Sequence, residues 1–355
     1  MDIVGITPRD LGIPETIPLP KRKDLGIGMV GFGWVARDSH APCYRSAGWP
    51  IAAVADPDPA AQNEARDNFG IPHVCSDYRE LIADEAVEVV DLCTQPNVRA
   101  EVVIAAAEAG KHIIVEKPLA ETVEECERMV QAAERAGVKL AVHQNYRWYC
   151  MCFYAHHIIQ RGLIGEPFFA GIEICGPQDV LLAGHPFYSK CGNFLTVQWA
   201  SHTVDLLRYL TARDAVRVFA RTARTRNQNF VSDTLMTMIA DFGEGLTGHI
   251  MHHELLRSSM EAGECRVDGD KGSVVFDFDQ YLRLESSLLG EGVRTLDVSG
   301  IEFPDAWCGT MGDLLISIEE NREPLVSGRR NLATMRTVFA MDESAKAGGK
   351  WVDIG

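Results

Sequence analysis

What this chain of 355 residues lacks narrows it first. It has no apolar run near the roughly 20 residues a membrane-spanning helix needs. Lysine and arginine number 34 against 50 aspartates and glutamates, a net charge of −16, which argues against nucleic acid or an anionic membrane as a main partner. The opening stretch, MDIVGITPRDLGIPETIPLPKRKD, has no basic segment followed by an apolar core, so no secretory signal is read and a cytoplasmic location is expected. Ten cysteines are present, none at zinc-finger spacing, and Cys150 and Cys152 form the one close pair. Buried reduced thiols are therefore expected, and no metal site. Repeats and low-complexity segments are missing too.

What is present describes an ordinary globular protein: 46% hydrophobic and 24% charged residues, with length enough for two domains. The most informative stretch is Leu25 to Ala36, an apolar run feeding Gly31-Phe32-Gly33 and then Trp34-Val35-Ala36. Strand, tight turn and helix start are the ingredients of a dinucleotide site. One glycine permits the turn, the next lets backbone approach a pyrophosphate, and a small third residue packs helix on strand. Gly26, Gly28 and Gly31 also spell GxGxxG, but that register leaves no strand before the turn, so Gly31, Gly33 and Ala36 are taken. Asp56, at the end of the apolar Ile51–Ala55, suits a ribose hydroxyl, and no Arg or Lys follows closely for a 2′-phosphate. NAD is favoured over NADP. The plainer reading of Asp56 is a helix cap.

Strand and helix signals alternate through the first half: strands at Val87–Leu92, His112–Val115 and Val138–Val142, and helices at Asp58–Phe69, Arg99–Ala109 and Thr122–Ala136, with glycines where helices stop. The second half changes character. Thr234–Phe242 and Leu246–His253 read as a hairpin, followed by short strands at Cys265–Val267, Ser273–Phe278, Tyr281–Leu284 and Arg294–Val298. The expected fold is α/β: a doubly wound parallel sheet over residues 25–148 and an α+β domain with a large, mostly antiparallel open sheet over 149–355. Residues 1–24, rich in proline, are expected as an extended arm.

Ligands in open α/β sheets bind beyond the carboxyl ends of the strands. Thr94-Gln95-Pro96-Asn97, Glu116-Lys117-Pro118 and His143-Gln144-Asn145-Tyr146-Arg147 fall there. Lys117 in its rigid turn is a candidate to face a nicotinamide; the alternative is a solvated lysine paired with Glu116. Gln198, His202 and Asp205 would share a helical face, and a histidine titrating near neutrality can take an alcohol's proton. The alternative there is a histidine bonded to backbone. His185, His249, His252 and His253 are expected as solvated or sheet-face residues, since strand neighbours point to opposite faces.

Taken together, the Gly31–Ala36 turn, Asp56, Thr94–Asn97, Gly110-Lys111-His112, Glu116-Lys117-Pro118 and His202-Thr203-Val204-Asp205 resemble the Gfo/Idh/MocA family, the glucose–fructose oxidoreductase and inositol dehydrogenase group. The resemblance covers the chain from about residue 25, and Glu-Lys-Pro is its most specific mark. It implies a Rossmann domain and a C-terminal domain whose open sheet builds homo-dimers or homo-tetramers. The implied activity is NAD-dependent hydride transfer from a sugar, glycoside or cyclitol hydroxyl. Glycoside cleavage through transient oxidation, and a non-catalytic dinucleotide and sugar sensor, are the alternatives. The resemblance assigns Gly31, Phe32, Gly33, Trp34, Val35, Asp56, Thr94, Gln95, Pro96, Asn97, Glu116, Lys117 and Gln144 to the cofactor. It gives Lys117, Asn145, Tyr146, Arg147, Gln198, His202 and Asp205 to the substrate, with Lys117, His202 and Gln198 at the chemistry. Two residues depart from the family pattern: Gln198 stands for an aspartate four residues before the histidine, and Arg99 for a histidine after the Thr94–Asn97 turn.

Overall fold

The computed structural model describes residues 4–355, whose strands form two sheets. In chain order these are β1 (Val4–Ile6), β2 (Ile27–Val30), β3 (Ile51–Ala55), β4 (His73–Cys75), β5 (Val89–Leu92), β6 (His112–Val115) and β7 (Leu140–Val142). They continue with β8 (Pro167–Cys175), β9 (Arg217–Ala223), β10 (Leu235–Asp241), β11 (Thr247–His253) and β12 (Ala262–Gly269), then β13 (Gly272–Phe276), β14 (Leu282–Ser286), β15 (Arg294–Leu296) and β16 (Val352–Asp353). The chain divides into two compact units. One comprises Pro18–Asn145 and Pro304–Leu332; the other comprises residues 4–17, Tyr146–Phe303 and Ala333–Gly355.

The first unit is the doubly wound half. Its sheet runs β4-β3-β2-β5-β6-β7, every pair parallel. β2, β5 and β7 are buried along their whole length, as strands covered on both faces must be. Helix boundaries follow side-chain caps: Asp58 accepts from Ala60 N–H, Asp77 from Arg79 and Thr122 from Glu125. The helix after β5 begins at Pro96, three residues before the expected Arg99, because proline at the first helical position forfeits no hydrogen bond. The helix after the glycine turn contains a π-helical turn, Ala36–His40, which the residue pattern does not announce.

The turn's register is decided by space. A Cβ on Gly26 would lie 1.8 Å from the Ala86 carbonyl oxygen, and one on Gly28 would lie 2.8 Å from Leu81 and Val87. Those two glycines serve packing. Gly31 has φ +86°, the left-handed turn conformation, while a Cβ on Gly33 would meet nothing within 4 Å. That leaves Gly31 and Gly33 as the turn and the open approach.

The second unit holds the sheet β1-β15-β14-β13-β12-β8-β11-β10-β9-β16, in which β1 with β15 and β8 with β11 are the parallel pairs. β8 and β9 went unread in the sequence. Their inward residues include the small Ala170 and Ala220, which weaken the apolar alternation. The proline-rich start is tied to its own chain: β1 joins the sheet, Leu11, Ile13 and Ile17 are buried, and Tyr154 Oη donates to the Glu15 carbonyl.

One expectation is corrected. Cys43 and Cys308 are joined by a disulfide within the first unit, so not all thiols are free; 265 residues separate them, and no spacing signals the pair.

Gly26→Ala should therefore destabilise the protein by at least about 1–3 kcal/mol, the scale of an overpacked interior, measured by denaturant unfolding. Gly33→Ala should leave stability nearly unchanged.

Candidate active site

The first unit places the turn residues around a cleft of ≈ 860 Å³ lined by Gly31, Gly33, Asp56, Thr94, Gln95 and Asn97 among others. Asp56 holds the turn itself: its carboxylate accepts from Phe32 N–H at 2.7 Å and from Asp58 N–H at 2.8 Å. Asp58, not Asp56, caps the following helix. The Phe32 side chain is fully buried against Phe69, so any role toward a ligand falls to its backbone. Trp34 is exposed and Val35 half-buried where the helix starts. Arg79 also lines the cleft, with its guanidinium paired to Asp77 and Glu101.

These residues fit a dinucleotide. Thr94 Oγ1 and both amide atoms of Gln144 are buried without a hydrogen-bond partner, as is Asn145 Oδ1. Buried polar atoms of this kind call for a partner that protein groups do not supply here.

Glu116-Lys117-Pro118 follows β6 and is gripped from beneath. Arg99, buried, donates to the carbonyls of Glu116 and Pro118, and to that of Thr94 at 2.6 and 3.0 Å. The family's histidine is thus replaced by a clamp on two turns at once. Burial pushes the Lys117 ammonium pKa down to about 8; Glu116 works against this and Arg99 with it.

Beneath the turn lies a cluster that motif reading missed. The Glu116 carboxylate points inward to His40 Nε2 at 3.1 Å. His40 Nδ1 is 2.8 Å from Asp91 Oδ2 and 3.3 Å from Cys93 Sγ. Tyr44 Oη donates to the same Asp91 oxygen at 2.8 Å. His143 Nε2 is 3.3 Å from Asp91 Oδ1, and its Nδ1 is 2.8 Å from Thr310 Oγ1. His40, Asp91 and His143 have no exposed surface. Burial opposes charge on His40, but the Cys93 sulfur and the Asp91 carboxylate, with the bonds to both, raise its pKa well above the ordinary value. Burial likewise pushes Asp91 and Glu116 up. His40 and His143 reverse this and hold both carboxyls below their usual range, far below for Asp91. Burial and the His40 charge lower His143. Asp91 within an apolar strand was the one visible signal, since a buried charge requires a partner.

The second unit brings its own candidates together. Gln198 lies in a π-helical turn, Phe194–Trp199, that leads into helix Ala200–Thr211 carrying His202 and Asp205. Tyr146 stacks on His202 with ring centroids 4.2 Å apart and planes 6° from parallel. Arg147 donates to Asp205 through Nε at 2.5 Å and Nη2 at 2.7 Å, a two-pronged buried pair, and Thr334 adds a bond at 3.1 Å. Asp205 and Arg147 thus hold each other. His249 bonds Thr237 on one sheet face, and His252 lies on the opposite, buried face, 3.5 Å from the equally buried Glu254.

Comparison with known proteins agrees with this architecture. Residues 25–144 match the model of the Gfo/Idh/MocA oxidoreductase family, NAD-binding Rossmann fold, and residues 154–275 that of the Gfo/Idh/MocA C-terminal domain. D-apiose dehydrogenase of Paraburkholderia graminis is 28% identical over 339 residues, 90% of this chain and 87% of that protein. Myo-inositol 2-dehydrogenase of Thermotoga maritima is 28% identical over 329 residues, 90% of this chain and 96% of that one. A crystal structure of an oxidoreductase from Agrobacterium radiobacter with NAD+, L-tartaric acid and magnesium is 26% identical. It covers 94% of this chain and 99% of its own, with a TM-score of 0.84.

Asp205→Asn should cost about 3–5 kcal/mol of stability, since it leaves Arg147 buried without its counter-charge; thermal and denaturant unfolding would show it.

Proposed function

The chain belongs to the Gfo/Idh/MocA oxidoreductase family, and from that membership we propose that it oxidises a hydroxyl of a sugar or cyclitol with NAD. The observation that carries the reading is Lys117, held in a turn that Arg99 clamps through the Glu116 and Pro118 carbonyls, with its pKa lowered by burial. Bound NAD supplies the hydride acceptor. Gly31, Gly33, Asp56, Thr94, Gln95, Pro96, Asn97 and Gln144 would hold it, and the open approach at Gly33 and the unpartnered Gln144 amide support that assignment.

Lys117 in its ammonium form donates a hydrogen bond to the reacting hydroxyl oxygen and stabilises the negative charge that develops there. One such donor is worth about 10²–10³ in kcat. His202 accepts the hydroxyl proton. Its ring is fixed by stacking on Tyr146, which supports a defined direction for that transfer. Gln198 cannot take a proton and serves as a hydrogen-bonding group. Asp205 acts by holding Arg147 in place, and Asn145, Tyr146 and Arg147 line the substrate side.

D-apiose and myo-inositol are the first substrates to try, because the proteins named for them align over nine-tenths of this chain at 28% identity. The reading extends to a cytoplasmic homo-oligomer. Phe169, Ile239 and Met251 share the sheet face opposite the buried Ala170, Met238 and Ile250, and a sheet-on-sheet contact would cover them.

NADH formation should appear with at least one free sugar or cyclitol when the pure protein is screened with NAD+, while glycosides are followed by mass spectrometry for released aglycone. Aglycone released without net NADH would mean glycoside cleavage. No turnover across the panel would sink the enzyme reading.

Because the ammonium form is the working one, the alkaline limb of kcat should fall as pH rises through about 8, while the acid limb belongs to the histidine that takes the proton. Lys117→Arg, which stays charged, should abolish that falling limb, and Lys117→Met should cost about 10²–10³-fold below pH 8 and progressively less above it. A rate that instead climbs through pH 8 would make Lys117 a base.

A further inference from the structure

Glu116 has a partner that the chemistry above leaves unused. The residue resemblance gives to the cofactor turns its carboxylate inward, where His40 Nε2 meets it at 3.1 Å. The other ring nitrogen of His40 is bonded to Asp91 at 2.8 Å, so one imidazole spans two buried carboxylates. The π-helical turn Ala36–His40 sets that ring's direction, and the Trp307 ring lies against it with centroids 4.5 Å apart.

We propose that His40 is a positioning residue for Lys117, acting through Glu116: it holds the Glu116 carboxylate inside the fold and keeps it ionised next to the ammonium. The geometry explains why the effect must pass through Glu116. His40 is faced by Asp91 and Cys93 from the end of β5, by Tyr44 from its own helix, by Glu116 after β6 and by His143 after β7. Helix Ala306–Glu319 contributes Trp307 to the ring and the uncharged Thr310 to His143. The charged groups that bear on Lys117 are Glu116 and Arg99. Removing the imidazolium leaves Asp91 and Glu116 buried with no cation between them, and a carboxyl in that position takes up a proton. Lys117 then loses the anion that sustains its ammonium form, with Arg99 still repelling it.

The inference rests on the role proposed for Lys117, but the test reads the lysine itself. The full chain would be reductively methylated with ¹³C, the Lys117 resonance assigned with Lys117→Arg, and its titration followed by NMR. The wild-type midpoint is expected near 8. Glu116→Gln should lower it by about 1 pH unit, the low end of what an adjacent opposite charge does. His40→Gln should lower it in the same direction, and the double variant no further than Glu116→Gln alone. Should His40→Gln fail to fold, Asp91→Asn replaces it. That variant strips His40 of the carboxylate that keeps it charged, and the midpoint should again fall. Thermal melting measures any general loss of stability, which by itself would not move the midpoint.

A midpoint that stays at the wild-type value in His40→Gln or Asp91→Asn while falling in Glu116→Gln would overturn the proposal, as would shifts that add in the double variant. If the protein forms no NADH with any substrate yet the midpoints move as stated, the dehydrogenase reading fails and this one stands.

Discussion

Two carboxylates placed in a dry interior are the constraint on which the first unit depends. Asp91 sits within β5 and Glu116 just past β6, and neither could stay ionised there alone; the charging cost is several kcal/mol per ion. His40 supplies the cation between them, and His143 and Tyr44 complete the hydrogen bonding on the Asp91 side. Several otherwise unrelated features then belong together. The π-helical turn aims His40, and three strand ends converge on it. A helix from late in the chain, Ala306–Glu319, closes the cluster with Thr310 and Trp307 and is joined to the His40 helix through Cys43–Cys308. Next to this cluster Arg99 grips the Glu-Lys-Pro turn, which carries a lysine of lowered pKa.

The two units solve the same problem with different chemistry. In the first, a histidine shared by two carboxylates holds the side chain of Glu116, the residue next to Lys117 in the chain. In the second, Arg147 and Asp205 form a buried two-pronged pair that fixes the segment carrying Tyr146, on whose ring His202 is stacked. Buried pairs of this kind contribute little net stability compared with apolar packing. Their contribution is therefore better explained by the geometry they impose.

The alternation of strand and helix in the first unit was legible because its helices stop at glycines and start at Asp58, Asp77 and Thr122, local signals that survive any tertiary context. The glycine turn was legible too, although its two possible registers could be separated on packing only once Ala86 and Leu81 were seen against Gly26 and Gly28. Lys117, His202 and Asp205 stood out as motif residues. That Asp205 spends its carboxylate on Arg147, 58 residues away, could not be read from spacing. Nor could the π-helical turns at Ala36–His40 and Phe194–Trp199, since one extra residue in a turn leaves no mark on composition. His40, Asp91 and His143 were visible only as isolated polar residues among apolar neighbours. Their meaning is collective, and it comes from bringing five separate chain segments to one point.

The protonation state of His40 tests this picture most directly. ¹⁵N NMR of histidine-labelled protein, with the His40 signals assigned by their loss in His40→Gln, reads both ring nitrogens as a function of pH. Both should carry protons at pH 8, well above where a free histidine discharges, with Asp91 and Glu116 ionised on either side. A neutral His40 at that pH, titrating near the ordinary value of about 6.5, would contradict it.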